Sequence, residues 1–329
     1  MSETARLLAE SVGAFLTRNR DLDDSGLLEA LQESGFTLAL ASEENGGLGA
    51  SWSEAATIAR LWGYHAAALP IVELLLSAHI ADVAGDMRLA ARLTVVPSGA
   101  AAGGPVSAAV SPGADICLPR AGLAAIDGTA ATTIAGEPVV RLGAAAPLAA
   151  ETVPSTLSHD QLVRQGTLLV AARMLGAMER IVEIVTEHVK VRSQFGRALA
   201  KFQLVQTMVA DAASEIEAAA AAIDRALRAL DGGLPDDIEW RAAKSQAGRA
   251  ATVVAANAHQ AMGAVGFTQE HALHTLTRRL WAWRDAWVSQ AEADEAIGRL
   301  ACHAGGDGLW SLIADRQSAA GLPASGASS

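Results

Sequence analysis

Residues 192–206, RSQFGRALAKFQLVQ, decide how the chain is organised. The stretch sets Arg192, Arg197 and Lys201 close together, interleaves them with Phe195 and Phe202, and turns at Gly196. It separates two long runs with apolar residues at helical spacing, Gln161 to Val191 before it and Phe202 to Leu230 after it. Two further runs follow, Asp236 to Met262 and His271 to Cys302, with breaks at Gly232–Pro235 and Gly263–Gly266. Long helices joined by short breaks predict an antiparallel four-helix bundle.

Upstream, Thr4 to Thr17, Asp24 to Ser34, Trp52 to Gly63 and Ile71 to Val83 also carry helical periodicity. Between them and the bundle the signal changes to short β-prone runs, Leu93–Val96, Ala131–Ile134 and Pro138–Val140, separated by Gly and Pro. The expected architecture is therefore mainly α with a small β module. It comprises an N-terminal helical domain (1–88), a reduced β module packed against the helices (89–152), a C-terminal four-helix bundle (153–316) and a disordered Ala/Gly/Ser-rich tail (317–329).

Composition narrows the function. The 329 residues are 51% hydrophobic and 19% charged, with a net charge of −11, which argues against a nucleic-acid-binding surface. Any anionic ligand must meet local positive charge. The apolar stretch from Ala66 to Gly85 contains Pro70, Glu73 and Asp82, an unsuitable membrane span. Cys117 and Cys302 cannot make a disulfide framework, and the Met-Ser-Glu-Thr start lacks the layout of a secretory signal. A soluble, cytoplasmic protein is expected.

The cationic cluster is chemically suggestive. A guanidinium beside aromatic edges and the Gln203 amide can clamp a pyrophosphate and hydrogen-bond a purine; a solvated helix end is the plainer alternative. Gln260-Ala-Met-Gly263-Ala-Val-Gly266-Phe267 ends a helix with small residues that let backbone approach a ligand, or simply stops the helix. Taken together, Arg192-Ser-Gln-Phe195-Gly196, Phe202-Gln203, Val205-Gln206, then Gln260, Gly263 and Gly266, resemble the acyl-CoA dehydrogenase family. Leu31-Gln-Glu-Ser-Gly35-Phe36, Ser42-Glu-Glu-Asn-Gly46-Gly47-Leu-Gly49, Gly63 and Pro70 are similar to its N-terminal helical domain. The resemblance covers about 1–85 and 160–305 and implies an acyl-CoA dehydrogenase-like fold.

It also implies FAD shared at a subunit interface, with the ring on one subunit's β module and the pyrophosphate and adenine on the neighbour's bundle. Arg192 would then meet the pyrophosphate, with Gln194 and Phe195 beside it. Leu199, Phe202 and Gln203 would line the adenine end, Gln260 would bond the diphosphate side, and Gly263 with Ala264 would allow close approach. The family usually has glycine where Ala264 stands.

The family's reaction removes an α-proton from an acyl-CoA with a carboxylate while a hydride leaves for the flavin. Its two base positions fall here at Gly166 and Thr167 and at Trp287, and none of these can take a proton. No catalytic residue is assigned, and Glu270, Asp285, Asp160 and Glu179 are the substitutes nearest in sequence. The family's flavin-ring segment survives only as a faint echo in Ser107–Asp115, and no tryptophan lies between Trp62 and Trp240. The resemblance points to a base-lacking subunit in an α2β2 complex with a sister acyl-CoA dehydrogenase subunit, as in actinobacterial enzymes acting on steroid side-chain acyl-CoAs. A self-sufficient dehydrogenase or flavin oxidase and a flavin-free scaffold are the competing readings. His271 and His274 are expected to be solvated or capping and Cys302 to be a buried free thiol, with no metal site. Trp281, Trp283 and Trp287 are expected in a core or subunit interface.

Overall fold

The computed structural model describes residues 3–95, 106–108, 116–118, 124–125, 128–142, 157–233 and 237–314. The expected disordered tail (317–329) and the segment 109–115 of the flavin-ring echo lie outside them. Four helices open the chain: α1 (Glu3–Arg18), α2 (Asp24–Ser34), α3 (Trp52–Tyr64) and α4 (Ile71–Ala84). Short strands follow, β1 (Leu93–Val95), β2 (Val106–Ala108), β3 (Ile116–Leu118), β4 (Ala124–Ala125), β5 (Gly128–Thr132) and β6 (Pro138–Leu142). β3 lies between β1, to which it is parallel, and β4, while β6 pairs antiparallel with both β2 and β5.

The bundle contains α5 (His159–Val191), α6 (Gln203–Asp231), α7 (Asp237–Met262) and α8 (Leu273–Arg284), and α9 (Gln290–Ala314) packs on α7. A two-residue hairpin, β7 (Ser193–Gln194) with β8 (Arg197–Ala198), joins α5 to α6. No helix among the described residues is long and apolar enough to cross a membrane.

α5 starts at a reciprocal capping box between Ser158 and Gln161, and is buried continuously from Gln165 to Met178. A helix apolar all round belongs in a core. α3 crosses it very closely because of two glycines. A Cβ at Gly63 would overlap the Arg173 carbonyl, and one at Gly176 would overlap the Arg60 carbonyl. Arg60 and Glu179 form an ion pair across the same crossing. The N-terminus of α3 is tied to α6 by the Asp231 carboxylate, which accepts from Trp52 N at 2.7 Å and Ser53 N at 3.2 Å. β1 is tied to α4, where Ser77 Oγ donates to the Leu93 carbonyl at 2.6 Å.

α5, α6 and α7 begin and end within two residues of the expected bounds, but the single helix expected over His271–Cys302 is two. α8 stops at Arg284 because Lys244, wholly buried on α7, donates Nζ to the carbonyls of Trp283 (2.7 Å) and Ala286 (3.2 Å). α9 restarts at Ser289, which exchanges capping bonds with Glu292. Cys302 is exposed, not buried, because α9 beyond Ala293 turns outward.

The crossing makes a prediction. Gly176→Ala forces two backbones apart and should destabilise the protein by about 3 kcal/mol or more, the upper end of overpacking costs. Urea unfolding checks this; wild-type stability in the variant would mean that the helices do not approach so closely.

Candidate functional site

One end of the bundle is open and cationic. Arg192 leaves α5 in an extended conformation with its N–H on the His188 carbonyl, and its own carbonyl accepts from Leu199 N at 2.8 Å. That bond closes the hairpin, whose turn residues Phe195 (φ 49) and Gly196 (φ 77) both have positive φ. A bulky side chain at such a φ is strained, and the turn leaves the Phe195 ring 88% exposed. The Arg197 guanidinium lies 4.1 Å over the Phe202 ring, and Phe195 meets Phe202 edge-on.

The antiparallel course of α6 and α7 brings the end of α7 to this place, where Asn257 Nδ2 donates to the Met208 carbonyl at 3.0 Å. Gly263 turns the chain with φ 62, and Gln260, Gly263 and Ala264 are exposed. Burial, together with the charges of His271 and Arg192, holds the His188 pKa below the usual range. Arg192, Gln194, Phe195, Leu199, Phe202 and Gln203 thus form one hairpin-and-turn unit. Gln260, Gly263 and Ala264 share its end of the bundle.

Among the described residues, Arg192, Arg197 and Lys201 make no ion pair with a carboxylate. Beside them Val191, Leu204, Val265 and Phe267 expose apolar side chains. Cations without anions and apolar groups without cover suit an anionic, partly aromatic ligand and a neighbouring subunit. The residues present fit the pyrophosphate and adenine end of FAD.

The opposite end is closed. Trp287 stands at φ 62 with its indole against Gly166, where an added Cβ would overlap the ring. The two places where the resemblance expects a base are therefore in contact, and the indole fills the space. Indole Nε1 donates to Glu73 Oε1 at 3.1 Å. Burial pushes the Glu73 carboxyl up to about 7, against the lowering effect of the Arg173 charge and the Trp287 N–H. Burial likewise drives Lys244 down to about 7, although Asp285 and Glu292 pull it upward. Nearby, Glu137 enters from the β5–β6 turn and meets Arg173, Arg279 and the Trp283 indole.

Residues 161–284 match the profile of the acyl-CoA dehydrogenase C-terminal domain. The acyl-CoA dehydrogenase IpdE2 of Mycobacterium tuberculosis is 28% identical, over 84% of this chain and 87% of that protein. The chain has the acyl-CoA dehydrogenase fold, and its residues 161–284 carry the sequence likeness to that family. A short/branched chain specific acyl-CoA dehydrogenase of Bos taurus is 33% identical over 33% of this chain and 25% of its own length, so likeness to this dehydrogenase is confined to one segment. The fold is that of the ChsE4–ChsE5 complex of Mycobacterium tuberculosis, with a TM-score of 0.79, 22% identity and coverage of 98% of this chain and 99% of that one. The Tcur3481–Tcur3483 steroid ACAD follows, with a TM-score of 0.76, 21% identity and coverage of 91% and 96%.

Within this acyl-CoA dehydrogenase fold, the substitutes named from sequence are placed elsewhere. Glu179 pairs with Arg60, Asp285 pairs with Arg284 on the surface, and Glu270 is exposed near the open end. Asp160 lies in the first turn of α5. The carboxylate that meets Trp287 is Glu73, which reads in the sequence as a polar interruption of an apolar run. A buried glutamate in such a run was the available signal. Trp283 and Trp287 are core residues, while Trp281 is half-buried beneath Arg284. His271 Nδ1 accepts from Leu273 N and His274 Nδ1 lies on the His271 carbonyl, so both act as local caps.

The two buried groups give opposite pH dependences. Folded Glu73 keeps a proton that the unfolded chain releases above its ordinary value of 4.5, so its contribution to stability falls as pH rises from 4.5 to 7. Folded Lys244 has lost a proton that the unfolded chain keeps up to 10.5, so its contribution rises from pH 7 upward. Each slope is at most about 1.4 kcal/mol per pH unit. Relative to wild type, Glu73→Gln should remove the falling limb and Lys244→Met the rising one, measured by urea unfolding across pH 4.5 to 9. Parallel wild-type and variant curves would contradict the burial of these groups.

Proposed function

We propose that this chain is the base-lacking subunit of a flavin-dependent acyl-CoA dehydrogenase, and that its open bundle end completes the FAD site of a sister subunit in an α2β2 complex. Acyl-CoAs of steroid degradation are the proposed substrate class, and the cytoplasm the proposed location. The contact between Trp287 and Gly166 carries the reading, because it fills both base positions with groups that cannot take a proton. The heteromeric neighbours ChsE4–ChsE5 and Tcur3481–Tcur3483 support it.

The domain division at 88–89 and 152–153 belongs to the same proposal. The bound flavin supplies the hydride acceptor for α,β-dehydrogenation of the thioester. This chain supplies binding. Arg192 makes charge-assisted, bidentate hydrogen bonds to the pyrophosphate, with Gln194 and Phe195 beside it. Leu199, Phe202 and Gln203 line the adenine end, Gln260 bonds the diphosphate side, and the bare backbone at Gly263 and Ala264 admits it. Taking the α-proton falls to the sister subunit.

Arg192→Ala should weaken flavin retention in the assembled complex by about 1.5 to 3 kcal/mol with the fold intact, since the side chain lies at an exposed helix end. Flavin release, followed with circular dichroism as the folding control, measures it; wild-type retention would remove Arg192 from the site.

Glu73 favours a second reading, a self-sufficient dehydrogenase, because a buried carboxyl near 7 beside the base positions has the pKa of a general base. Turnover by the complex separates the two. Glu73→Gln leaves turnover intact in the first reading and abolishes it in the second.

A further inference from the structure

Two guanidiniums lie buried between α5 and α8 beneath the β5–β6 hairpin. Arg173 is 5% exposed and Arg279 9%. They share one carboxylate: Glu137 Oε1 lies 3.2 Å from Arg173 Nη2 and 3.5 Å from Arg279 Nε, and Glu137 Oε2 accepts from Trp283 Nε1 at 2.9 Å. Arg173 Nη2 also reaches the Ala67 carbonyl at 3.1 Å, and its guanidinium lies 4.0 Å over the Trp283 ring. Arg173 Nε and both Nε and Nη1 of Arg279 remain buried with no hydrogen-bond acceptor among the described residues.

The surrounding charges do not remove the deficit. The charge of Glu73 acts on Arg173, but Glu73 Oε1 is engaged by Trp287. The charge of Asp24 acts on Arg279 from the exposed first turn of α2. A buried donor on a charged group costs far more when left unmet than a neutral one does. Below about pH 7, where Glu73 keeps its proton, two cations against Glu137 leave one positive charge, which a monoanion balances and a dianion exceeds. The planar fork of a guanidinium also matches a planar carboxylate.

We propose that Arg173 and Arg279 form an internal anion site roofed by the β5–β6 hairpin, in which Glu137 takes the Nε side of Arg279 and a carboxylate of a small monoanionic ligand accepts from Arg279 Nη1, which meets no acceptor among the described residues. The roof is held to α8 at its tip by Arg278, whose Nε donates to the Ile134 carbonyl at 2.7 Å, and turns at Gly136 with φ 81. Ligand entry lifts this hairpin, and occupancy holds it down. The site needs no sister subunit and stands apart from the proposed flavin role.

Thermal unfolding of the full chain tests it, with sodium formate or acetate replacing chloride at constant ionic strength. Wild type should gain stability saturably with formate or acetate, as expected for a ligand bound only by the folded state. Phosphate should do less. Arg279→Met should lose the response, and Glu137→Gln, which removes the resident carboxylate, should bind formate roughly tenfold more tightly or better. If Arg279→Met fails to fold, the comparison of wild type with Glu137→Gln decides alone. Equal responses in wild type and Arg279→Met, equal affinities in wild type and Glu137→Gln, or no response in wild type would overturn the proposal.

Discussion

Gly63 and Gly176 set the distance between α3 and α5, and the rest of the molecule is positioned by that crossing. Each lacks the Cβ that would strike a backbone carbonyl of the other helix. The approach buries α5 on every side from Gln165 to Met178 and makes it the axis of both the N-terminal helices and the bundle. A third glycine on the same helix, Gly166, receives Trp287. Gly166, Arg173, Gly176 and Arg192 therefore lie along one rod of roughly 50 Å, at about 1.5 Å per residue. Displacing the crossing would move the closed cluster and the open bundle end together.

The two ends of that rod have opposite character. At one, charged groups are buried: Glu73 meets Trp287, Lys244 meets carbonyls at the end of α8, and Arg173 and Arg279 share the single carboxylate of Glu137. Such a cluster fixes side chains, and the Trp287 indole fills the space beside Gly166. At the other, Arg192, Arg197 and Lys201 face outward among exposed phenylalanines. Burying those groups requires something from outside the described residues, since an exposed apolar patch with cations at its rim is stable only when solvated or covered. A chain filled by an indole at one end and exposing cations at the other matches the proposed role of completing a site housed elsewhere.

Local signals made the helices legible. Apolar spacing and Gly/Pro punctuation placed α5, α6 and α7, and the residues from Arg192 to Gln203 could be grouped because they are contiguous. What escaped was set by distant partners. The break after Arg284 depends on Lys244, far away in sequence, and the Ser289–Glu292 capping box that restarts the helix was masked by the continuing apolar period. Glu73 sits within an apolar run and Glu137 in a β-prone one, so neither announces that it faces the bundle. Cys302 followed the general tendency of free thiols toward burial, whereas the local course of α9 carries it to the surface.

The visible absorbance of the purified chain, recorded alone and after addition of the proposed sister subunit, tests the division between binding and chemistry most directly. The account predicts flavin colour that acyl-CoA bleaches only in the assembled complex. A yellow chain bleached by acyl-CoA on its own would contradict it.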